Sequence, residues 1–125
     1  MWSEEAVEKL RKMGHKITPQ RLELIRVLER IGKEHPSLKD VHDELLKKFP
    51  TMSFSTLYSN VLLLRELGLI ELFSLGGETH VEVNTRPHIN VISRNGIEDV
   101  DDLMLIELIE KKTGRKVKLV NVIVE

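Results

Sequence analysis

Five histidines, at positions 15, 35, 42, 80 and 88, are the only strong nitrogen donors that this 125-residue chain offers at neutral pH, and no cysteine accompanies them. Disulfides, thiolate zinc sites and cysteine redox chemistry are therefore excluded. A metal ion would have to be held by imidazole, carboxylate or amide groups. His35 precedes Pro36, His80 and Glu82 are one residue apart, and so are His88 and Asn90. On an extended chain each of these i, i+2 pairs shares a face. Together with Asp99 they form a set that could converge at a hinge between two structural units. Such a mixture of donors suits manganese, iron, nickel or zinc, having neither thiolate softness nor an all-oxygen cage. Each residue also has a structural reading. His35 before a proline can cap a helix, Glu82 can be a surface charge on a hairpin, and Asp99 or Asp101 can be the N-cap of a helix. His15 and His42 read as helix-surface residues.

A second constellation is the run S-F-S-T-L-Y-S-N at 53–60. A helix enters the DNA major groove by its N-terminal turns, so side chains there must be short or hydrogen-bonding while the far face carries the scaffold. Leu57, Val61 and Leu64 form that buried stripe, leaving Ser55, Thr56, Ser59 and Asn60 together on the other face. Ser55, Thr56 and Asn60 can reach base edges or phosphates, and Tyr58 can stack on a sugar or meet a thymine methyl. Lys16, Thr18, Gln20 and Arg21 stand where a preceding helix begins, in reach of backbone phosphate, with Lys16 free to enter a minor groove. The plainer reading is a solvated face of an ordinary helical bundle, or a winged helix used to bind protein.

The elements that must position these groups are punctuated in the sequence. A first helix is expected from about Ser3 to Met13, stopped by Gly14. A second opens at Thr18-Pro19, a capping residue followed by proline at the first helical position, and runs to Gly32. A third starts at Ser37, with Asp40 completing a capping-box pattern, and runs past Phe49 to Pro50. A fourth spans about Ser53 to Gly68. After Gly68 the period changes from 3.6 to 2 through L-I-E-L-F-S-L-G-G-E-T-H-V-E-V, with Gly76-Gly77 between two β-prone runs, which reads as a hairpin. Helices followed by a two-stranded wing make a winged helix-turn-helix over residues 1–84. From Arg86 onward the pattern reads strand (H-I-N-V-I-S), turn (Asn95-Gly96), helix (about Asp101 to Lys112) and strand (V-K-L-V-N-V-I-V). The expected class is thus α+β, with a small α/β unit at 85–125. One helix on a few strands cannot close a core alone, and the last strand is apolar on both faces, so a second copy is expected to cover it.

Composition agrees with this division of labour. Hydrophobic residues make up 41% of the chain and charged residues 31%, as in ordinary globular proteins. Residues 1–65 hold 12 Lys and Arg against 9 Asp and Glu, a net +3, while residues 66–125 hold 7 against 11, a net −4. A basic front and an acidic back suggest separate tasks. The apolar runs are too short for a membrane span, and the charged N-terminus is unlike a signal peptide, so a cytoplasmic location without membrane contact is expected. There is no H-E-x-x-H, no nucleophile elbow and no phosphate loop, so no enzymatic activity and no small-molecule substrate are expected.

At this point the motifs carry a resemblance. H-K-I-T-P-Q-R, H-P-S-L-K-D-V-H-D-E-L and F-P-T-M-S-F-S-T-L-Y-S-N-V-L-L-L-R-E-L-G-L-I resemble the signature run of the ferric uptake regulator family, and K-K-T-G-R-K-V-K-L-V-N-V-I-V is similar to its closing helix and strand. That family comprises metal- or peroxide-responsive repressors that bind palindromic DNA as dimers. The resemblance implies that the fourth helix is the recognition helix, with Ser55, Thr56 and Tyr58 at contact positions and Lys16 and Arg21 at phosphate or minor groove. Ser59 stands where the family usually has arginine. His35, Glu82, His88 and Asp99 match the family's regulatory metal ligands, and Asn90 stands where a second histidine is usual. One divalent ion per subunit (Fe, Mn, Zn or Ni) is implied, with double-stranded DNA and a second copy of the chain as partners.

An ion across both units would fix the spacing of two recognition helices. The family's structural zinc, held by four cysteines, is absent, since S-R-N-G occupies its region, and Pro87 and Ile89 flank His88 where a further histidine-rich site would lie. His35 and His88 also match the pair that the peroxide-sensing branch oxidises. The alternative is a metal-independent winged-helix regulator or adaptor that has lost part of the metal site.

Overall fold

Thr18 accepts a hydrogen bond from the backbone of Arg21 and Pro19 supplies the first helical turn, so α2 (Pro19–Ile31) starts where its residue types require. The computed structural model describes residues 1–125 and divides them into two compact units, Met1–Asn84 and Thr85–Glu125.

In the first unit α1 (Trp2–Lys12) packs on α2, and Trp2 ties its start down through Nε1–H to the Leu69 carbonyl. A 3-10 turn (Gly32–Glu34) leads to α3 (Leu38–Leu46), whose capping box closes in both directions between Ser37 and Asp40. The third helix stops earlier than the periodicity suggests. Pro50 biases Phe49 away from helical backbone, and the chain has already loosened into a turn at Lys47 and Lys48. Then α4 (Phe54–Glu66) begins at the Ser53 cap, followed by the wing, β1 (Glu71–Leu75) and β2 (Glu78–Glu82). The two strands are antiparallel, with Leu72 opposite Val81 and Phe73 opposite His80. Gly76 and Gly77, at φ 59° and 80°, make the turn that matches strand twist.

The core of this unit is continuous through Leu10, Leu24, Ile25, Leu28, Val41, Leu45, Leu57, Val61, Ile70 and Val81, all essentially inaccessible. Truncating any one of its leucines to alanine removes about 2–5 kcal/mol. This packing fixes the polar face of α4 outward. A further pairing was not visible in the sequence: residue 37 bridges His80, and the Val81 amide donates to the Pro36 carbonyl at 2.9 Å. The segment before α3 is thereby stitched to the wing.

The second unit holds β3 (Ile89–Ser93), β4 (Gly96–Val100), α5 (Leu103–Thr113) and β5 (Val120–Ile123), with sheet order β4-β3-β5. The first pair is antiparallel and the second parallel. The expected strand–turn–helix–strand order omitted β4. Its side chains are largely exposed, so Ile-Glu-Asp-Val carries no strong apolar alternation. Asp99 consequently lies on a strand, and Asp102, not Asp99 or Asp101, caps α5 through the Leu105 amide. His88 stands one residue before β3, and β5 is shorter than the eight-residue strand expected at 117–124. Only Ile89, Ile92 and Ile106 are buried hydrophobics here, while Leu103, Met104, Leu108 and Ile123 are half or more exposed.

Candidate metal centre and nucleic-acid interface

Within the first unit, the 3-10 turn delivers His35 at φ 54°, ψ 56°, the one non-glycine residue at positive φ. An L-residue there costs about 1–2 kcal/mol, so the surroundings must hold it. Two features do. Gly32 lies against the end of the wing so closely that a Cβ would stand 2.7 Å from Val83 Cγ1. The His35 carbonyl, moreover, accepts from His80 Nδ1–H at 2.7 Å. A carbonyl can only accept, which fixes the His80 tautomer. Phe73 stacks on His80 (5.6 Å, 21°) and meets His35 edge-on (6.2 Å, 69°).

So held, His35 Nε2 lies 2.9 Å from Glu82 Oε2, with the two side chains only 5% and 2% exposed. Glu82 Oε1 accepts from the Asn84 amide at 3.2 Å. The structure brings His35 and Glu82 together and makes His80 their support. His35 does not cap α3, since Ser37 does, and Glu82 is not a surface charge on the wing.

Within the second unit, His88 Nδ1–H donates to the Arg86 carbonyl at 2.7 Å, so in the neutral ring Nε2 carries a lone pair. That nitrogen faces Asn90 Oδ1 at 3.1 Å and Asp99 Oδ1 at 3.9 Å. Antiparallel register sets Asn90 opposite Asp99, and parallel register sets it beside Asn121, whose Oδ1 accepts from Asn90 Nδ2 at 3.2 Å. His88 and Asn90 are fully buried, whereas Asp99 is 40% exposed at its side chain.

His88 Nε2, Asn90 Oδ1 and Asp99 Oδ1 thus lie near one another in this unit. The donors fit a divalent ion: imidazole nitrogens with their second nitrogen or carbonyl anchored, plus carboxylate and amide oxygens. The 2.9 and 3.1 Å separations also match neighbouring ligands around an ion with bonds of about 2.1 Å. Arg86 and Asn121 went unnoticed in the sequence. Their contributions come from a backbone carbonyl and from strand register, neither of which a residue pattern displays.

On α4, Ser55, Tyr58 and Ser59 are exposed and Thr56 is half-buried. Ser53 Oγ accepts from the Thr56 amide at 3.1 Å and Ser59 Oγ donates to the Ser55 carbonyl at 3.0 Å. Asn60 and Arg21, expected as DNA contacts, are engaged with each other. Arg21 Nε donates to Asn60 Oδ1 at 2.8 Å and its Nη1 to the Lys16 carbonyl at 2.9 Å, while Asn60 Nδ2 donates to the Thr56 carbonyl. Arg21 therefore staples the loop at Lys16 and α2 to the recognition helix. Lys16 itself is exposed, Gln20 is half-buried, and Thr18 is spent on its cap.

His42 is not a mere helix-surface residue. Its Nε2–H reaches the Met52 carbonyl at 2.8 Å and its ring meets Phe54 edge-on at 5.7 Å, with Tyr58 next in the row at 6.3 Å from Phe54. This row, which sets the entry into α4, was unmarked in the sequence because it joins two helices.

A winged helix with an exposed polar face on α4, a small α/β unit, and one buried imidazole–carboxylate pair, His35–Glu82, define a winged-helix protein whose side chains offer metal-ligand chemistry. Residues 12–125 match the Ferric uptake regulator family, and the chain belongs to it. It is 58% identical over 125 residues to the ferric uptake regulation protein homolog of Archaeoglobus fulgidus, covering 100% of this chain and 98% of that one. It is 35% identical over 98 residues to the peroxide operon regulator of Bacillus subtilis, covering 78% of this chain and 67% of that one. Among solved structures, that of the Campylobacter jejuni peroxide stress regulator superposes with a TM-score of 0.70 at 31% identity, over 95% of this chain and 94% of that one.

Proposed function

We propose that this protein is a metal-responsive transcriptional repressor, not an enzyme, that binds palindromic operator DNA as a homodimer in the cytoplasm. Residues 1–84 read DNA, and residues 85–125 form the dimer and sense metal. The observation that carries the reading is the buried His35–Glu82 contact, built at the cost of left-handed backbone inside a DNA-binding unit. The match to the Ferric uptake regulator family disfavours the metal-independent alternative.

Recognition falls to Ser55, Thr56, Tyr58 and Ser59, with Lys16 and Gln20 on backbone phosphate. Arg21 and Asn60 act on DNA through the placement of α4, and Thr18 through the start of α2. One divalent ion per subunit, of iron, manganese, zinc or nickel, is held by His35, Glu82, His88 and Asp99, with Asn90 as a fifth donor, the set that the family resemblance implies. When bound, it supplies the charge that lets these acceptors share one centre. The family's four-cysteine zinc has no counterpart in a chain without cysteine, and dimerisation rests on the apolar face of α5 and β5.

The test is fluorescence anisotropy with promoter DNA from the protein's own gene, with divalent metal and with chelator. Salt-sensitive binding that strengthens with metal is expected. Absence of salt-sensitive binding under both conditions overturns the DNA reading, and equal binding in both overturns the metal reading. No helix is long and apolar enough to cross a membrane.

A further inference from the structure

We infer that Phe54, the first residue of α4, is a specificity-determining residue that reads the 5-methyl group of a thymine in each half-site of the operator. The inference rests on the reading of α4 as the helix that enters the major groove, and it adds a contact that the polar side chains of that helix do not supply.

Phe54 is 45% exposed and Tyr58, one turn further on, is 40% exposed. An i, i+4 pair shares a face, and long helical side chains lean toward the N-terminus, so Tyr58 leans over the turn that Phe54 opens. The two ring centroids lie 6.3 Å apart at 85°, the edge-to-face geometry that aromatic quadrupoles favour. His42 of α3 also meets Phe54 edge-to-face, at 5.7 Å and 85°, and is itself fixed by donating Nε2–H to the Met52 carbonyl at 2.8 Å. Phe54 is therefore held by rings from two helices while nearly half of it faces solvent. A ring fixed before binding loses little side-chain freedom when a partner arrives. Anchoring α4 in the core falls instead to Leu57, Val61 and Leu64, all buried.

The chemistry of the major groove narrows what that ring can meet. Stacking closes off the faces of the bases and leaves only their edges. Those edges carry hydrogen-bond donors and acceptors and a single apolar group, the C5 methyl of thymine. A phenyl ring can bond to none of the polar groups. On the first turn of a helix that enters the groove by its N-terminal turns, its matching partner is the methyl. Ser55 and Thr56 address the polar edges, and Phe54 addresses the apolar one.

The test replaces single thymines by deoxyuridine, which lacks only the methyl, across the protected region of promoter DNA from the protein's own gene. Binding of the full-length protein is read by competition anisotropy with divalent metal present. The parent protein is expected to bind about fourfold more weakly when one particular thymine per half-site is replaced, the loss that follows from exposing one methyl. Phe54→Ala is expected to bring the thymine/deoxyuridine affinity ratio at that position to about 1, and Phe54→Leu, still apolar, to keep it at about 2 or above. General loosening of α4 would weaken binding to both DNAs alike and leave the ratio where it is in the parent. An unchanged ratio in Phe54→Ala overturns this inference alone, as does a parent protein indifferent to every thymine methyl. Absence of salt-sensitive DNA binding with and without metal overturns the DNA reading and this inference together.

Discussion

His35 Nε2 and Glu82 Oε2 meet at 2.9 Å in a site that is 5% exposed on one side and 2% on the other, although 46 residues of helix, turn and wing separate them in the chain. The contact exists because Gly32 lets the 3-10 turn press on Val83 and because the stretch before α3 pairs with β2. Glu82→Gln keeps the shape and the acceptor for the Asn84 amide but discards the charge. It is expected to leave the unfolding free energy from urea melts within about 1 kcal/mol in chelator, while metal affinity falls at least about tenfold. His88→Ala is expected to lose metal-enhanced DNA binding and keep the dimer. Metal analysis of untagged protein alongside anisotropy checks both, and wild-type metal dependence in either variant argues against the site.

Backbone strain at residue 35 makes a separate prediction. His35→Ala and His35→Gly both remove the imidazole, but only glycine adopts φ 54° without penalty. In chelator the glycine variant should be the more stable by about 1–2 kcal/mol. Equal unfolding midpoints would mean that position 35 relaxes out of the left-handed region.

Lys16 and Arg21 were equivalent as sequence candidates but are unlike in the structure. Lys16→Ala is expected to weaken DNA binding uniformly and reduce the salt slope by about 1, with no change in stability. Arg21→Ala cuts the tie from the Lys16 carbonyl to Asn60, so it should lower stability by about 1–3 kcal/mol as well as DNA affinity. Conversely, Ser59→Arg places a cation on the exposed face of α4 and should steepen the salt slope by about 1. Thermal melts paired with anisotropy at several salt concentrations distinguish these patterns; a destabilised Lys16→Ala or a fully stable Arg21→Ala would contradict them.

Met104 and Ile123 are 82% and 76% exposed in a unit whose buried core is three isoleucines. Burying such side chains against a second copy is worth about 1.5–3 kcal/mol each. Met104→Glu with Ile123→Glu is therefore expected to give monomers by sedimentation, with helical content retained and palindrome affinity falling to that of a half-site. A dimer that survives both charges would move the interface elsewhere.

Much was legible in the residues alone because it is local. The Thr18 and Ser37 caps, the Gly76-Gly77 turn, the apolar stripe of α4 and the i, i+2 pairs each depend on neighbours a few positions away, and the structure reproduces them. Absence of cysteine alone removed thiolate zinc. The tertiary structure decided what depends on distance in space. Strand β4 escaped notice because its residues are exposed. Arg21 and Asn60, read in the sequence as separate DNA contacts, are joined in space by their own hydrogen bond. His80 and His42 acquired roles through backbone carbonyls at residues 35 and 52. Asn90 likewise came to lie beside Asn121 through the parallel register of β3 and β5, since a strand's neighbours are not written in its own residues.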